Sequence, residues 1–349
     1  MNLLQNTLND IKEINRDVMK EAQVVVDGLL KPVGSLGTLE DIAIQLSGIY
    51  GTNSLKPLKK AVVVCAGDHG IIEEGVTSAP QIVTTLMTNF IAEGKSGVGV
   101  ISKTMGADVI VVDVGVNADI DNPKVLDKKI KRGTDNLAKG PAMSREEAIA
   151  SLEVGIEVAT NLIEQGYNIL ATGEMGIGNT TPSSAIIAAF TGINPKDLTG
   201  VGANLSEEGM IKKVKVIKSG LEVNKPDKND AIDVLSKVGG LEIGAMAGVM
   251  LAGAAKKVPV LVDGFISTAA AAIAIHLEPK VFDYLICSHI SAEKGAEIAA
   301  SSLGFKPYLN MGLRLGEGSG AALTFTIIDS AIAMVNEMGT YAQAGISVV

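Results

Sequence analysis

The sequence predicts an α/β protein built on a doubly wound, mainly parallel sheet with helices on both faces. Short apolar runs alternate with longer amphipathic stretches along most of the chain, which is the pattern of repeated β-α-β units. The runs at 61–66 and 109–114 are almost entirely apolar, as expected for strands buried on both sides. Of the 349 residues, 47% are hydrophobic but only 3% are aromatic, so small aliphatic side chains must fill the core.

The N-terminal part of the chain is predicted to be helical. Residues 2–30 carry apolar side chains at helical spacing, which predicts one or two amphipathic helices. Residues 30–40 contain Pro32, Gly34 and Gly37, and they predict a turn before a helix that runs through Ile44 and Leu46. This turn is either a shaped loop or a plain connector, and residues 51–58 resemble a linker.

Beyond residue 58, strand and helix patterns alternate. Helices are predicted at 83–91 and 145–164. The predicted strands cover 61–66, 109–114, 169–172, 258–262 and 284–287. In such sheets, ligands bind beyond the carboxyl ends of the strands. We therefore expect the polar loops after these strands to meet at one crevice, through Asp68, Asp113, Glu174, Asp263 and Ser291.

A glycine-rich loop follows the strand at 169–172 and leads into a helix. The helix is expected to start with Thr181 as its N-cap and Pro182 at its first position. N–H groups at a helix start, next to glycines, form an anion site that most often takes phosphate, although a plain tight turn is the alternative. Neither a Gly-Lys-Ser/Thr ending nor a third glycine after Gly176-x-Gly178 is present, so neither common nucleotide fingerprint applies.

Two glutamates in glycine-rich loops, Glu174 and Glu317, are the strongest candidates for catalysis. One carboxylate can take a proton while the other stabilises positive charge on a sugar ring that is leaving its base. Burial would have to raise the pKa of a glutamate, normally about 4.3, before it could act as a base near neutrality. One of Lys212, Lys213 and Lys215 could supply positive charge for a phosphate, or all three could form a solvated helix face.

Composition and charge exclude several other classes of function. A net charge of −9 argues against a nucleic acid or an anionic membrane as partner. Cys65 and Cys287 lie in apolar runs and predict reduced, buried thiols of a cytosolic protein, and no signal peptide is evident. His69 and His289 follow strands and have a possible place in the crevice, but neither has a partner at metal-ligand spacing. No Gly-x-Ser-x-Gly elbow of a serine hydrolase occurs.

Four motifs together resemble the nicotinate-nucleotide–dimethylbenzimidazole phosphoribosyltransferase family. They are Lys-Pro-x-Gly-Ser-Leu-Gly at 31–37, Gly-Glu-x-Gly-x-x-Asn-Thr-Thr at 173–181, Val-Gly-Ala-Asn at 201–204 and Arg-Leu-Gly-Glu-Gly-Ser-Gly at 314–320. Stretches at 233–240 and 288–295 fit the same family, so the resemblance covers nearly the whole chain. It implies transfer of the phosphoribosyl group of nicotinate mononucleotide to a lower-ligand base, with inversion at the anomeric carbon, in cobamide synthesis.

The resemblance also implies roles for individual residues. Glu317 corresponds to the general base, and Glu174 would lie near the ribose and the reaction centre. Residues expected to bind the phosphate or ribose are Gly176, Ile177, Gly178, Asn179, Thr180, Gly202, Lys213, Asp263 and Ser291. Residues expected at the base are Ala79, Pro80, Met87, Met175 and Leu315.

The base pocket departs from the familiar family pattern. Ala79 and Met87 stand where that pattern has Ser and Gln, and Met175 stands where Leu is usual. Losing a hydroxyl and an amide leaves fewer groups to recognise the polar edge of a base. An altered or wider range of bases, including phenolic ones, is therefore expected, whereas the class of reaction is not in doubt.

The resemblance further implies a protein with no metal or organic cofactor that forms a homodimer, although some relatives pair unlike subunits. It implies a large Rossmann-like catalytic domain at 58–329 and a small helical domain built from both chain ends, 1–57 and 330–349. Two alternatives remain open. One is a non-catalytic or heterodimer-partner homologue that binds nucleotide, and the other is a nucleotide-dependent oxidoreductase, although its glycine fingerprint is absent.

Overall fold

The computed structural model describes residues 3–200 and 205–346. Its described residues form one six-stranded sheet, and every neighbouring pair of strands in it is parallel. In chain order the strands are β1 (Lys60–Gly67), β2 (Ala107–Gly115), β3 (Val125–Asp127), β4 (Ile169–Met175), β5 (Val260–Val262) and β6 (Leu285–Cys287). The strands lie side by side in the order β3-β2-β1-β4-β5-β6, so the doubly wound parallel sheet is confirmed.

Helices cover both faces of this sheet. Before β4 they are α1 (Leu3–Asp10), α2 (Arg16–Asp27), α3 (Thr38–Tyr50), α4 (Ile82–Ala92), α5 (Gly97–Thr104) and α6 (Arg145–Glu164). After β4 they are α7 (Thr180–Thr191), α8 (Pro195–Leu198), α9 (Glu207–Asn224), α10 (Ala231–Val238), α11 (Leu241–Ala255), α12 (Phe265–Leu277), α13 (Ala296–Ser302) and α14 (Ser319–Glu337). Short 3₁₀ helices span Gly70–Glu74 and Pro279–Tyr284.

The five predicted strands are all present, and β5 and β6 start at Val260 and Leu285, slightly later than expected. The two amphipathic helices predicted near the N-terminus are α1 and α2, and the helix predicted at 145–164 is α6. Strand β3 was not predicted. It has only three residues at the edge of the sheet, two of them exposed, so no apolar run marks it in the sequence.

Alternate side chains of the central strand build two separate cores, as the two-residue repeat of a strand requires. Ala61, Val63 and Cys65 of β1 face a core shared with α6, α7, α11 and α12. Val62 and Val64 face the opposite core, which is shared with α2, α3 and α14. Both faces of β1 are therefore buried, which explains why its sequence does not alternate between apolar and polar residues.

Helices α6 and α11 cross with their backbones in contact. A methyl group on Gly155 of α6 would lie 1.9 Å from the carbonyl oxygen of Ala245, and one on Gly248 of α11 would lie 2.0 Å from that of Leu152. Real side-chain atoms do not approach a backbone this closely. Only glycine at these two positions lets α11 lie deep enough to cover the centre of the sheet.

The start of α7 differs from the sequence prediction. The helix begins at Thr180, with Asn179 at the N-cap position, so the expectation of Thr181 as N-cap was wrong. The side chain of Asn179 makes no capping bond, because it donates to Glu174 instead. Thr181 and Pro182 lie within the first turn, where backbone N–H groups have no intrahelical partner and proline is therefore tolerated.

Helix α14 is the one helix among the described residues that is long and apolar enough to cross a membrane by composition alone. Its Ala321, Phe325 and Ile328 are fully buried in the core that it shares with α2 and α3. It is therefore accounted for as a core helix of this fold.

We expect Gly155→Ala to lower the free energy of unfolding by about 1–3 kcal/mol or more, because the added methyl group must push α11 away from α6. In an unpacked helix the same change would instead stabilise by about 1 kcal/mol. Urea unfolding followed by circular dichroism measures the difference. Gly140→Ala is the matched control, since nothing lies within 4 Å of the added methyl group there. An unchanged midpoint for Gly155→Ala would contradict the close crossing.

Candidate active site

A cavity of about 360 Å³ opens at the carboxyl ends of β4, β5 and β6. It contains most of the residues that the sequence analysis selected. Those that line it are Glu174, Met175, Gly176, Ile177, Gly178, Asn179, Thr180, Lys213, Asp263, Ser291, Leu315, Glu317 and Met87. The expected meeting of polar loops beyond the strand ends is therefore confirmed for the loops after β4, β5 and β6.

Some of the selected residues lie elsewhere. Ala79 and Pro80 belong to the segment before α4 and are not among the lining residues, although Met87 of α4 is. Gly202, in the Val-Gly-Ala-Asn motif at 201–204, lies outside the described residues.

Asp68 and Asp113 do not reach the cavity, so that part of the expectation was wrong. Asp113 accepts hydrogen bonds from the backbone of Gly115 and Val116 and pairs with Lys129 at 2.6 Å. Asp68 accepts one from the backbone of Asn117 at 2.8 Å. Strand β1 adjoins β4, and the segment after it reaches the cavity through Val76 and Thr77, but the two aspartates themselves bind the loop after β2 and Lys129 instead.

Glu174 lies at the end of β4 and is almost fully buried. Burial raises the pKa of its carboxyl group to about 8, although the Asn179 side-chain amide and the backbone N–H of Glu317 donate to it and oppose that rise. Two further acidic groups, Glu242 and Asp263, raise the pKa of Glu174 as well. At neutral pH this carboxyl group is therefore largely protonated, and it ionises readily when positive charge arrives nearby.

Glu317 lies on a turn with an unusual backbone. Gly316, Glu317 and Gly318 have φ angles of +83°, +63° and +93°, so three consecutive residues are left-handed. For the non-glycine residue this conformation costs about 1–3 kcal/mol and needs support from its surroundings. Asp263 supplies that support, because its carboxylate accepts hydrogen bonds from the N–H groups of Gly318 at 3.3 Å and Ala321 at 2.9 Å.

The turn directs the Glu317 carboxylate at the start of α5. Oε2 accepts the backbone N–H of Val98 at 3.0 Å, and Ser96 and the backbone of Gly97 also donate to the carboxylate. Burial raises the pKa of Glu317 above its usual value, and these donors at a helix N-terminus oppose the rise. The result is a buried carboxylate that binds a proton more tightly than an exposed glutamate does, which is the direction that favours a general base.

The glycine-rich segment 176–180, named here the anion loop, enters α7 beside a buried lysine. Lys213 of α9 is 1% exposed, and its Nζ donates to Thr180 Oγ1 at 2.6 Å. Burial lowers the pKa of Lys213 to about 8. Of the three candidate lysines, Lys212 and Lys215 are exposed, so the structure places only Lys213 at the cavity.

Of the two histidines with a possible place in the crevice, His289 lines the cavity and His69 does not. Lining residues that the sequence analysis did not assign to the site include Glu293, Arg314 and Phe265. His289 Nδ1 lies 2.9 Å from Ser288 Oγ and 3.8 Å from Asp263 Oδ1. Burial raises the pKa of Asp263, and His289 opposes that rise. Glu293 and Arg314 lie in the family motifs next to Ser291 and Leu315, and Phe265 follows Asp263. These positions were their only signal in the sequence, because none of the three has a spacing with its own chemical meaning.

The cavity combines four features. It is lined by two buried carboxyl groups (Glu317 and Glu174), by a helix start with a buried lysine, and by the apolar side chains of Met87, Met175 and Leu315. Such a set can bind a substrate that carries both an anionic group and an apolar ring. Among the described residues, no group of three or more His, Cys, Asp or Glu side chains that could hold a metal ion occurs.

Comparison with known proteins agrees with this geometry. A sequence model described as phosphoribosyltransferase matches residues 11–346. A nicotinate-nucleotide–dimethylbenzimidazole phosphoribosyltransferase of Alkaliphilus metalliredigens is 54% identical over the whole of both chains. One of Clostridioides difficile is 49% identical over 98% of each chain.

A solved structure has the same fold. The crystal structure of a nicotinate-nucleotide–dimethylbenzimidazole phosphoribosyltransferase of Thermus thermophilus is similar with a TM-score of 0.91 and 37% identity. The match covers 96% of this chain and 100% of that one. The chain therefore belongs to the nicotinate-nucleotide–dimethylbenzimidazole phosphoribosyltransferase family.

Proposed function

We propose that this enzyme transfers the phosphoribosyl group of nicotinate mononucleotide to a lower-ligand base such as dimethylbenzimidazole. The products are nicotinate and an α-ribazole-type 5′-phosphate for cobamide synthesis. One observation carries the proposal: the anion loop with Lys213 and the two buried glutamates, Glu174 and Glu317, surround a single cavity. The names of the similar proteins in the two bacteria agree with it.

In this proposal, the anion loop and Lys213 hold the 5′-phosphate through the N-terminus of α7 and a charged hydrogen bond. Ser291 and Asp263 also line the cavity, and in this proposal they complete the phosphate and ribose site. Gly202 belongs to this group by its motif. Holding the phosphate fixes the ribose, so that the anomeric carbon faces the incoming base.

Glu317 then takes the N–H proton of the incoming base, whose nitrogen attacks the anomeric carbon. The bond from that carbon to the nicotinate nitrogen breaks, and its electron pair leaves with nicotinate. Positive charge develops on the ribose as that bond weakens. Glu174 lies where its ionised form can stabilise this charge, and its pKa of about 8 lets it change ionisation state near neutrality.

The base pocket is proposed to accept a wider range of bases than a pocket with polar side chains. Met87, Met175 and Leu315 supply apolar, adaptable surface to the cavity. Ala79 and Pro80, just before α4, are proposed to border the base. A pocket with few polar side chains does not select against rings that lack polar edges. Benzimidazoles and phenolic bases are therefore both candidate substrates.

A panel of bases tests this function. Purified protein with nicotinate mononucleotide and dimethylbenzimidazole, benzimidazole, adenine, phenol or p-cresol should release nicotinate and form a new riboside, both measured by chromatography. Glu317→Gln should lower kcat by about 10²-fold or more, because no carboxylate then accepts the proton of the incoming lower-ligand base. The exposed Glu297→Gln is the matched control and should keep the wild-type rate.

Failure to turn over any base would favour the alternative of a non-catalytic or heterodimer-partner homologue. Full activity of Glu317→Gln would refute the general-base role while leaving the transferase function intact. An oxidoreductase is not supported, since the family to which the chain belongs is one of phosphoribosyltransferases.

The pKa values predict a narrow pH optimum near 8. Glu174 must be ionised to stabilise positive charge, so kcat/KM should rise with pH up to about 8. Lys213 must be protonated to hold phosphate, so kcat/KM should fall above about 8.

Lys213→Met should remove the alkaline fall and raise KM for nicotinate mononucleotide by about 10–100-fold. Lys212→Met, at an exposed neighbour, should change neither. An alkaline limb that persists in Lys213→Met would contradict this assignment.

We also propose that the chain forms a homodimer in which α4 contributes to the interface. Ile82, Leu86 and Phe90 form an exposed apolar stripe along one face of α4, spaced four residues apart. Met87 of the same helix lines the cavity, so a second copy seated on α4 would lie close to the site.

Light scattering should give the mass of two chains for the wild type and of one chain for Leu86→Glu. Val24→Glu, at an exposed apolar position on α2, should stay dimeric. A monomeric wild type that becomes active only with a paralogue would favour a heterodimer.

The domain division at 1–57 with 330–349 and 58–329 is a further proposal. Contacts between the two chain ends support it: Leu30 N donates to Gly339 O at 2.8 Å, and Tyr341 Oη donates to Lys31 O at 2.9 Å. Helix α14 continues across the second boundary, so the small domain would be joined to the large one by a helix. Limited proteolysis tests the division.

A cytoplasmic location is proposed as well, in keeping with two buried free cysteines.

A further inference from the structure

A buried ionisable pair lies directly beneath the site. His69, in the loop after β1, and Glu242, in the first turn of α11, approach to 2.7 Å between Nε2 and Oε1. Both side chains are fully buried, with 1% and 0% exposure. Neither lines the cavity, and the proposed reaction uses neither. Among the described residues, Glu242 is the one direct hydrogen-bond partner of the His69 ring.

The surrounding backbone leaves space for this pair and little more. A methyl group on Gly240 would lie 2.5 Å from His69 Cε1 and 2.8 Å from Glu242 Oε2. Two motifs of the sequence that the reaction leaves unexplained, Gly-Asp-His-Gly at 67–70 and Gly-Gly at 239–240, therefore meet around one buried contact. Such close packing leaves the His69 ring little room to move.

The anion loop rests on this ring. A methyl group on Gly176, the first residue of the loop, would lie 2.4 Å from the carbonyl oxygen of Gly67 and 3.3 Å from His69 Nε2. It would also lie 3.4 Å from Asn179 Nδ2, which donates to Glu174. Gly176 therefore lies close to both His69, which contacts Glu242, and Asn179, which donates to the Glu174 carboxyl group.

The acidic groups that face His69 come from three neighbouring elements: Glu242 from α11, Asp68 from the loop after β1 and Glu174 from β4. Burial acts to lower the pKa of His69, but these three groups together raise it above its usual value. The charge on Glu242 also raises the pKa of Glu174. A positive charge on His69, which lies between Glu242 and Glu174, opposes this rise in the pKa of Glu174. The attraction between His69 and Glu174 favours the charged form of both groups.

We propose that His69 and Glu242 form a buried ion pair that positions the anion loop and, through Asn179, the Glu174 carboxyl group. His69 is a positioning residue, because it acts through Gly176 and Asn179 and does not touch the substrate. The glycines of the loop do not restrict its backbone conformation. The closely packed His69–Glu242 pair provides a rigid surface beside the first residue of the loop. The part of the proposal that concerns substrate rests on the proposed function.

The charge state of His69 is tested on the unmodified protein, independently of activity. The chain has three histidines, so nitrogen-15 spectra of the imidazole rings resolve them, and His276→Gln and His289→Gln assign His69 by elimination. The pKa of His69 should lie above the usual value of about 6.5, so both ring nitrogens should keep their protons to a higher pH than in a free imidazole. A His69 ring that loses its second proton at or below the usual pKa would overturn the ion pair.

The positioning role is tested by kinetics and by anion binding. Glu242→Gln and His69→Gln should each raise KM for nicotinate mononucleotide on the order of tenfold, with a smaller effect on kcat. The exposed His276→Gln is the matched control. The double variant should recover melting temperature relative to either single one, because neither charge is then left buried without its partner.

Binding of inorganic phosphate, measured by calorimetry, separates this proposal from the proposed function. Weaker phosphate binding in Glu242→Gln supports the positioning role even if no base is turned over by the wild type. Wild-type phosphate and nicotinate mononucleotide affinity in a folded Glu242→Gln would overturn it. Should His69→Gln not fold, Glu242→Gln, which keeps the size and shape of the side chain, decides the outcome.

Discussion

The site depends on the contact between the turn at 316–318 and the end of β4. The backbone N–H of Glu317 donates to the carboxyl group of Glu174, and a methyl group on Gly173 would lie 2.2 Å from the Glu317 carbonyl oxygen. Glu317 therefore connects the two candidate catalytic groups, because its side chain is one of them and its backbone N–H binds the other, Glu174. Since Glu317 sits in a strained left-handed conformation, the strand end and Asp263 must hold it there.

This contact also explains how two glutamates in one cavity acquire different roles. Glu174 points into a buried environment with further acidic groups around it, so its proton is retained near neutral pH. Glu317 reaches across to the N-terminus of α5, where backbone N–H groups favour its ionised form against the effect of burial. In the proposed reaction, these different environments suit Glu317 to take a proton and Glu174 to respond to the charge of the substrate.

Beneath the site, the tight crossing of α6 and α11 at Gly155 and Gly248 places the first turn of α11 under the strand ends. From there Glu242 meets His69, and the anion loop rests on that pair. In the proposed function, a glycine-rich loop that lies beside this buried pair holds the phosphate of the substrate. The core crossing of α6 and α11 and the proposed phosphate site are therefore linked through α11.

The sequence by itself determined the fold class, five of the six strands and several of the helices. These follow from local patterns: apolar runs bounded by glycine, helical spacing, and glycine-rich loops that follow strands. The same patterns selected Glu174, Glu317 and the glycine-rich loop before α7, whereas most other residues of the cavity came from the resemblance to the family.

Only the tertiary structure decided which polar loops meet. Hydrogen bonds and an ion pair hold Asp68 and Asp113 at neighbouring loops, away from the cavity. The spacing of the three neighbouring lysines did not distinguish them, and helix packing buries Lys213, the one that the family resemblance named. It also moved the start of α7 to Thr180, because the side chain of Asn179 is needed by Glu174. The pairing of His69 with Glu242 left no trace in local pattern, since burial and distance between residues far apart in the chain arise only from packing.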